Sequence, residues 1–133
     1  MPDQNITRSI ESDAAPSRIL QILENPKRLP EWAPAFADKI ERDRANQYKV
    51  TKNGAAFALE MSVERTSRTV DYVREIAPGQ KGGAFIRVLP RPCGGSVVVM
   101  TLQLPANANP DQAAATLQQE LPSLLRLLPA KAA

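Results

Sequence analysis

The 133-residue chain has no histidine and a single cysteine, which removes most familiar catalytic arrangements. Neither a Ser/His/Asp nor a Cys/His constellation can form, no imidazole can ligate a metal, and one thiol cannot build a thiolate zinc site. Acid or base chemistry would fall to carboxylates, lysines, Tyr48 or Tyr72. Cys93 sits between Pro92 and Gly94 in a turn-forming stretch, where an inert exposed thiol is expected. Gly82-Gly83 and Gly94-Gly95 lack the spacing and the following helix of a phosphate loop, and both read as turns. What remains is a set of large apolar and amphipathic side chains: Trp32, Phe36, Tyr48, Phe57, Leu59, Met61, Tyr72, Met100, Leu117 and Leu121, with Arg74 among them. Walls of this kind suit an apolar or aromatic small molecule, with no cofactor and no metal.

Periodicity gives the elements that would bring these residues together. Leu117, Leu121, Leu124, Leu125 and Leu128 recur at spacings of three and four, so residues 109–128 are predicted to form a long amphipathic helix. Gln118, Gln119, Glu120, Ser123 and Arg126 are spread around its other faces. Asn109 can cap this helix, Pro110 fits its first position, and Gln112 stands where a capping box reaches back. Pro122 removes the N–H that the Gln118 carbonyl would accept and predicts a kink there.

At the other end, residues 6–11 alternate at period two and predict a strand with Ile6, Arg8 and Ile10 on one face. A helix begins near Pro16, buries Ile19, Leu20, Ile22 and Leu23, and ends at Asn25-Pro26. A short helical turn follows, packed by Leu29 and limited by Pro30. Residues 31–36 are too rich in proline for regular structure, and Trp32 and Phe36 there either plug the core or line a pocket mouth. Residues 37–43 read as a polar strand anchored by Ile40.

Asn53-Gly54, between residues 47–52 and 55–66, is the dipeptide of a type I′ hairpin. Phe57, Leu59, Met61 and Val63 then share the core face. Setting residues 69–76 against them pairs Val63 with Val70, Met61 with Tyr72, Leu59 with Arg74 and Phe57 with Ile76. Asp71 points outward in this register. Arg74 falls on the apolar face, where its stem either snorkels to water or its charge anchors an anionic ligand. Residues 84–89 and 96–104 form the last strands, with Val98, Met100, Leu102 and Leu104 facing the helix. Their partners are either Ala84, Ile86 and Val88 or Phe85, Arg87 and Leu89, since a one-residue slip exchanges the two sets.

A chain of this length can bury roughly two-thirds of its extended surface, enough for one domain over residues 1–133 without disulfides or metal. The net charge of +3 is mild, and the basic residues are interleaved with acidic ones, so no nucleic-acid partner is expected. Residues 1–5 carry no signal-peptide features and no apolar run approaches the roughly 20 residues of a membrane span. The expectation is a cytoplasmic monomer or homodimer without membrane insertion.

Strand, two helices, a run of antiparallel strands and a long helix describe an α+β architecture. Within it, Ile6, Ser9-Ile10-Glu11, Ala15-Pro16, Ile19, Leu23, Asn25-Pro26, Leu29-Pro30 and Trp32 resemble the N-terminal pattern of the SRPBCC superfamily. That superfamily includes START domains, polyketide cyclases and dehydrases, and the major birch-pollen allergen. Asn25 stands where aspartate is commoner. The resemblance implies a helix-grip fold: a curved antiparallel sheet of six or seven strands wrapped around the C-terminal helix, with two short helices after the first strand. It also implies a cavity between sheet and helix for an apolar, lipid-like or polyketide-like molecule, with Trp32 near its entrance. A cyclase or dehydrase activity, in which Tyr48 or Tyr72 orients a carbonyl and Arg74 stabilises enolate charge, is the alternative implied, and a cavity-less protein-interaction module is a third reading.

Overall fold

The computed structural model describes residues 4–129. In chain order these form β1 (Gln4–Ser12), α1 (Pro16–Leu23), a 3-10 turn (Pro26–Arg28), α2 (Leu29–Trp32), β2 (Lys39–Arg44), β3 (Gln47–Lys52), β4 (Ala55–Glu64), β5 (Thr69–Ala77), β6 (Gln80–Pro90), β7 (Ser96–Leu104) and α3 (Pro110–Arg126). The seven strands make one antiparallel sheet in the order β1-β7-β6-β5-β4-β3-β2. From β2 to β7 every strand neighbours the next in sequence, and β1 closes the series beside β7. The sheet curves around α3, with α1 and α2 after the first strand: the helix-grip fold.

Local chemistry sets the register. Asn53 and Gly54 both take positive φ, 53° and 80°, as a type I′ turn demands. Asp38 secures this hairpin from β2's side by accepting from the Asn53 N–H at 2.8 Å and from Lys52 Nζ at 3.1 Å. Those two donors hold the exposed Asp38 carboxyl below its ordinary range, the backbone N–H contributing most. Between β4 and β5, Val63 pairs with Val70 and Met61 with Tyr72, as periodicity requires. The ladder ends at Glu60 and Val73, however. Leu59 and Phe57 instead pair only with Tyr48 and Val50 of β3, and Arg74 only with Gly82 of β6, so the expected Leu59–Arg74 and Phe57–Ile76 pairs are not formed. The sheet forks at this point.

Between β6 and β7, Ala84, Ile86 and Val88 pair with Leu102, Met100 and Val98. This resolves the open register: Ile86, Val88, Val98 and Met100 are buried in the core, and Arg87 is outside and exposed. Gly82 and Gly83, expected in a turn, lie inside β6. A Cβ on Gly83 would run into the Tyr72 backbone carbonyl, so glycine serves close strand approach there rather than chain reversal.

The helices attach to the sheet through apolar stripes and a few buried hydrogen bonds. Ile19, Leu20, Ile22 and Leu23 of α1 are buried, and the Tyr72 hydroxyl donates to the Leu23 carbonyl at 2.6 Å where α1 ends. Before α1, the buried Ser96 hydroxyl donates to the Ala14 carbonyl at 2.7 Å. Both bonds satisfy groups that the core would otherwise strand without a partner. The Asn109 side chain caps α3 by accepting from the N–H groups of Asp111 and Gln112. Pro122 lies inside α3, and Leu117, Leu121 and Leu124 are almost wholly buried. Leu121→Ala should therefore cost about 2–5 kcal/mol in a urea melt, the range for a packed leucine whose site collapses only partly. A loss well under that range would mean Leu121 faces an open space.

Candidate ligand-binding site

The inner face is not filled completely. Between α2, α3 and strands β5, β6 and β7 lies a pocket of about 400 Å³. Leu29, Trp32, Ala33, Ala35 and Phe36 form one wall; Tyr72, Arg74, Ile76, Gly83 and Ala84 form the floor with Met100, Leu102, Gln103, Leu104 and Pro105; Ala113, Thr116 and Glu120 close it from α3. Small residues make the space. Ala84 leaves the floor low, and Ala113 and Thr116 keep α3 from filling it.

Of the side chains singled out from sequence, Trp32, Phe36, Tyr72, Arg74 and Met100 meet around this pocket. Leu59, Met61, Leu117 and Leu121 do not line it; all are buried in the core. Tyr48 and Phe57 are half-buried on the inner face beyond the lining, and Phe57 takes part indirectly by packing edge-on to Phe36 with ring centroids 5.3 Å apart. The reason lies in helix geometry. The leucine stripe of α3 faces the closed part of the fold, and the pocket meets the adjoining stripe of Ala113, Thr116 and Glu120.

The polar groups are few, and their states differ. Tyr72 lies 6.4 Å from Trp32 between ring centroids, and its hydroxyl proton is committed to Leu23. Burial pushes its pKa upward, with a smaller contribution from Tyr48, so Tyr72 is a neutral wall. Arg74 lays its guanidinium 3.6 Å from the centroid of the Phe57 ring, and its Nε donates to the Glu75 carbonyl at 3.3 Å. No carboxylate among the described residues forms an ion pair with it. Burial draws its pKa down, yet a guanidinium stays charged, and the aromatic face compensates part of its lost hydration. Trp32 is 2% exposed, and its Nε1–H has no hydrogen-bond partner among the described residues. Such an orphaned donor costs about 1–3 kcal/mol.

Glu120 was not among the residues singled out from sequence. It is 7% exposed, and burial alone raises its carboxyl from an ordinary value of 4.5 to about 7. A signal was present: Glu120 stands three residues after Leu117 and four before Leu124, at the border of the leucine stripe. The neutral carboxyl is the form the fold prefers. Its contribution to stability is complete below about pH 4.5, where the unfolded chain is also protonated, and is lost as pH rises through about 7, a change on the order of 3 kcal/mol. Glu120→Gln should therefore match the wild type in urea denaturation near pH 4.5 and exceed it by about 1–3 kcal/mol near pH 8. Equal stability at both pH values would show that the carboxyl is hydrated.

Comparison with known proteins agrees with this architecture. The family described as polyketide cyclase / dehydrase and lipid transport matches over residues 3–132. Among curated proteins none matches this chain in sequence. Among solved structures, a protein of Chromobacterium violaceum is 17% identical with a TM-score of 0.71, the alignment covering 98% of this chain and 100% of that one. A START superfamily protein of Mycobacterium smegmatis is 14% identical over 92% of each chain, TM-score 0.62. The Zhui aromatase/cyclase of a Streptomyces species is 12% identical over 94% of this chain and 88% of that one, TM-score 0.61. At these identities the structures speak for the fold alone, but the family match spans nearly every residue, and the chain belongs to the polyketide cyclase / dehydrase and lipid transport family.

Proposed function

We propose that this protein binds an apolar or aromatic small molecule, lipid-like or polyketide-like, in the pocket beneath α2 and α3. The observation that carries the reading is the pocket's make-up: about 400 Å³, walled mainly by apolar side chains, with Arg74, Thr116 and Glu120 as isolated polar side chains. Specific small-molecule sites are built in this way, apolar area supplying affinity and a few polar atoms fixing orientation. Arg74 suits the oxygen-bearing end of such a ligand, because its guanidinium is held flat on Phe57 and carries no internal ion pair among the described residues.

Binding rather than cyclisation is favoured by the state of the tyrosines. Tyr72 gives its proton to Leu23, and Tyr48 lies outside the lining, so neither is placed to orient a substrate carbonyl. The ligand is the partner proposed; a single domain, a monomer or homodimer, and a cytoplasmic location rest on the sequence features given above.

Trp32 is the only tryptophan and lies on the pocket wall, so its emission reports on occupancy. Titration with naphthalene derivatives should change that emission saturably. Ala113→Phe, which places a ring in the pocket from α3, should weaken binding by about tenfold or more while leaving the urea midpoint close to the wild type's. Unchanged affinity in Ala113→Phe, or no saturable response from any flat apolar compound, would count against the pocket as the site.

A further inference from the structure

We propose that Glu120 is the pocket's recognition group for a carbonyl oxygen, acting as a neutral hydrogen-bond donor, so that uptake of the ligand is coupled to uptake of a proton. The proposal rests on the pocket-binding reading above and adds the chemistry of the ligand's polar end: an apolar or aromatic body bearing a ketone-type acceptor.

Among the lining residues Glu120 is the single acid. It emerges from α3 one turn beyond the small Thr116 and about two beyond Ala113, on the same face, and forms no ion pair among the described residues. None of the elements packed against α3 supplies a counter-ion. β7 carries no titratable side chain. β1 carries Arg8 and Glu11, both exposed, with Arg8 turned to the Thr7 carbonyl. On α2, Glu31 is exposed and paired with Arg28. Arg18 on α1 reaches the Pro129 carbonyl beyond the end of α3. Across the pocket on β5, Tyr72 is bonded to Leu23 and Arg74 is stacked on Phe57. Burial is accordingly the sole cause of the raised Glu120 pKa.

Two facts then select the ligand. First, the other charged group of the lining, the Arg74 guanidinium, donates only. Second, an apolar body entering the pocket displaces the water that hydrates the carboxylate form of Glu120, and nothing nearby replaces that hydration. The carboxyl then takes a proton and becomes a donor itself. A carbonyl oxygen, which accepts and has no proton to give, fits that set; an amine or ammonium does not. Because the occupied pocket favours the neutral acid, affinity is full below the free protein's Glu120 pKa and falls by up to about tenfold per pH unit above it.

Methyl naphthyl ketone, ethylnaphthalene and naphthylmethylamine make a matched probe set with one outline and three polar ends. For the wild type, ketone affinity measured by Trp32 emission should fall by up to about 30-fold between about pH 6 and about pH 8.5. Glu120→Gln, which keeps a neutral donor, should bind the ketone with a flat pH profile. Glu120→Leu should lose the preference for ketone over ethylnaphthalene. A flat profile in the wild type, a slope that survives in Glu120→Gln, or naphthylmethylamine binding as tightly as the ketone at about pH 6, where the acid is neutral, would each overturn the proposal while leaving the pocket reading intact. Carbon NMR of the Glu120 carboxyl in the free protein gives a ligand-independent arm: titration near 7 supports the proposal, and titration near 4.5 overturns it. If no probe binds the wild type at any pH, the pocket reading itself falls and this proposal falls with it.

Discussion

The inner face of the seven-stranded sheet must be kept from water, and one helix is too narrow to do it alone. Neighbouring strands lie nearly 5 Å apart and a helix with its side chains spans about 10–12 Å, so α3 covers only two or three strands if the sheet is flat. Curvature brings more strands within reach of the helix, and α1 and α2 take the remainder. The pocket lies where these helices and the strands fail to meet, and small residues at Ala84, Ala113 and Thr116 keep it open. Cover for the sheet and the open pocket are thus two outcomes of the same geometric shortage.

How well this could be read in advance depended on the range of the interaction involved. The Asn53-Gly54 turn, the Asn109 cap and the pairing of Met61 with Tyr72 follow from residues a few positions apart or from a period-two pattern, and sequence reports those directly. The fork after Val73 was not legible. Period two extends the ladder to Leu59 and Phe57 without interruption, whereas in the structure the strands part after Val73, Arg74 lying over the Phe57 ring and paired with Gly82 of β6. Gly82 and Gly83 mislead for a similar reason: in sequence a glycine pair signals reversal, and only the position of the Tyr72 carbonyl shows that the demand is for clearance.

The candidate site was legible in half. Aromatic and sulfur-bearing residues identified one wall, because such side chains gather at the interior whatever its purpose. The α3 wall was misassigned, since a leucine stripe marks where a helix is most tightly packed and a pocket needs the opposite. Its marker was a charged residue at apolar spacing, Glu120, which by composition belongs with the solvated side chains around it. The structural neighbours sharpen the point. A grip of the same shape persists at identities of 12–17%, so the fold constrains size and polarity pattern far more than the identity of the groups that line the interior.

The fork has a mechanical meaning. It divides the sheet into two leaves, β2-β3-β4 and β5-β6-β7-β1, joined only through the ladder from Glu60–Val73 to Glu64–Thr69. Each leaf keeps its own hydrogen bonds when the angle between them changes, because the strands have already parted beyond that seam. Phe36, Phe57 and Arg74 stack where the strands part, in contacts made by side chains alone. An opening between the leaves would load only the five residue pairs of that seam and the aromatic contacts beside it, leaving the ladders within each leaf intact.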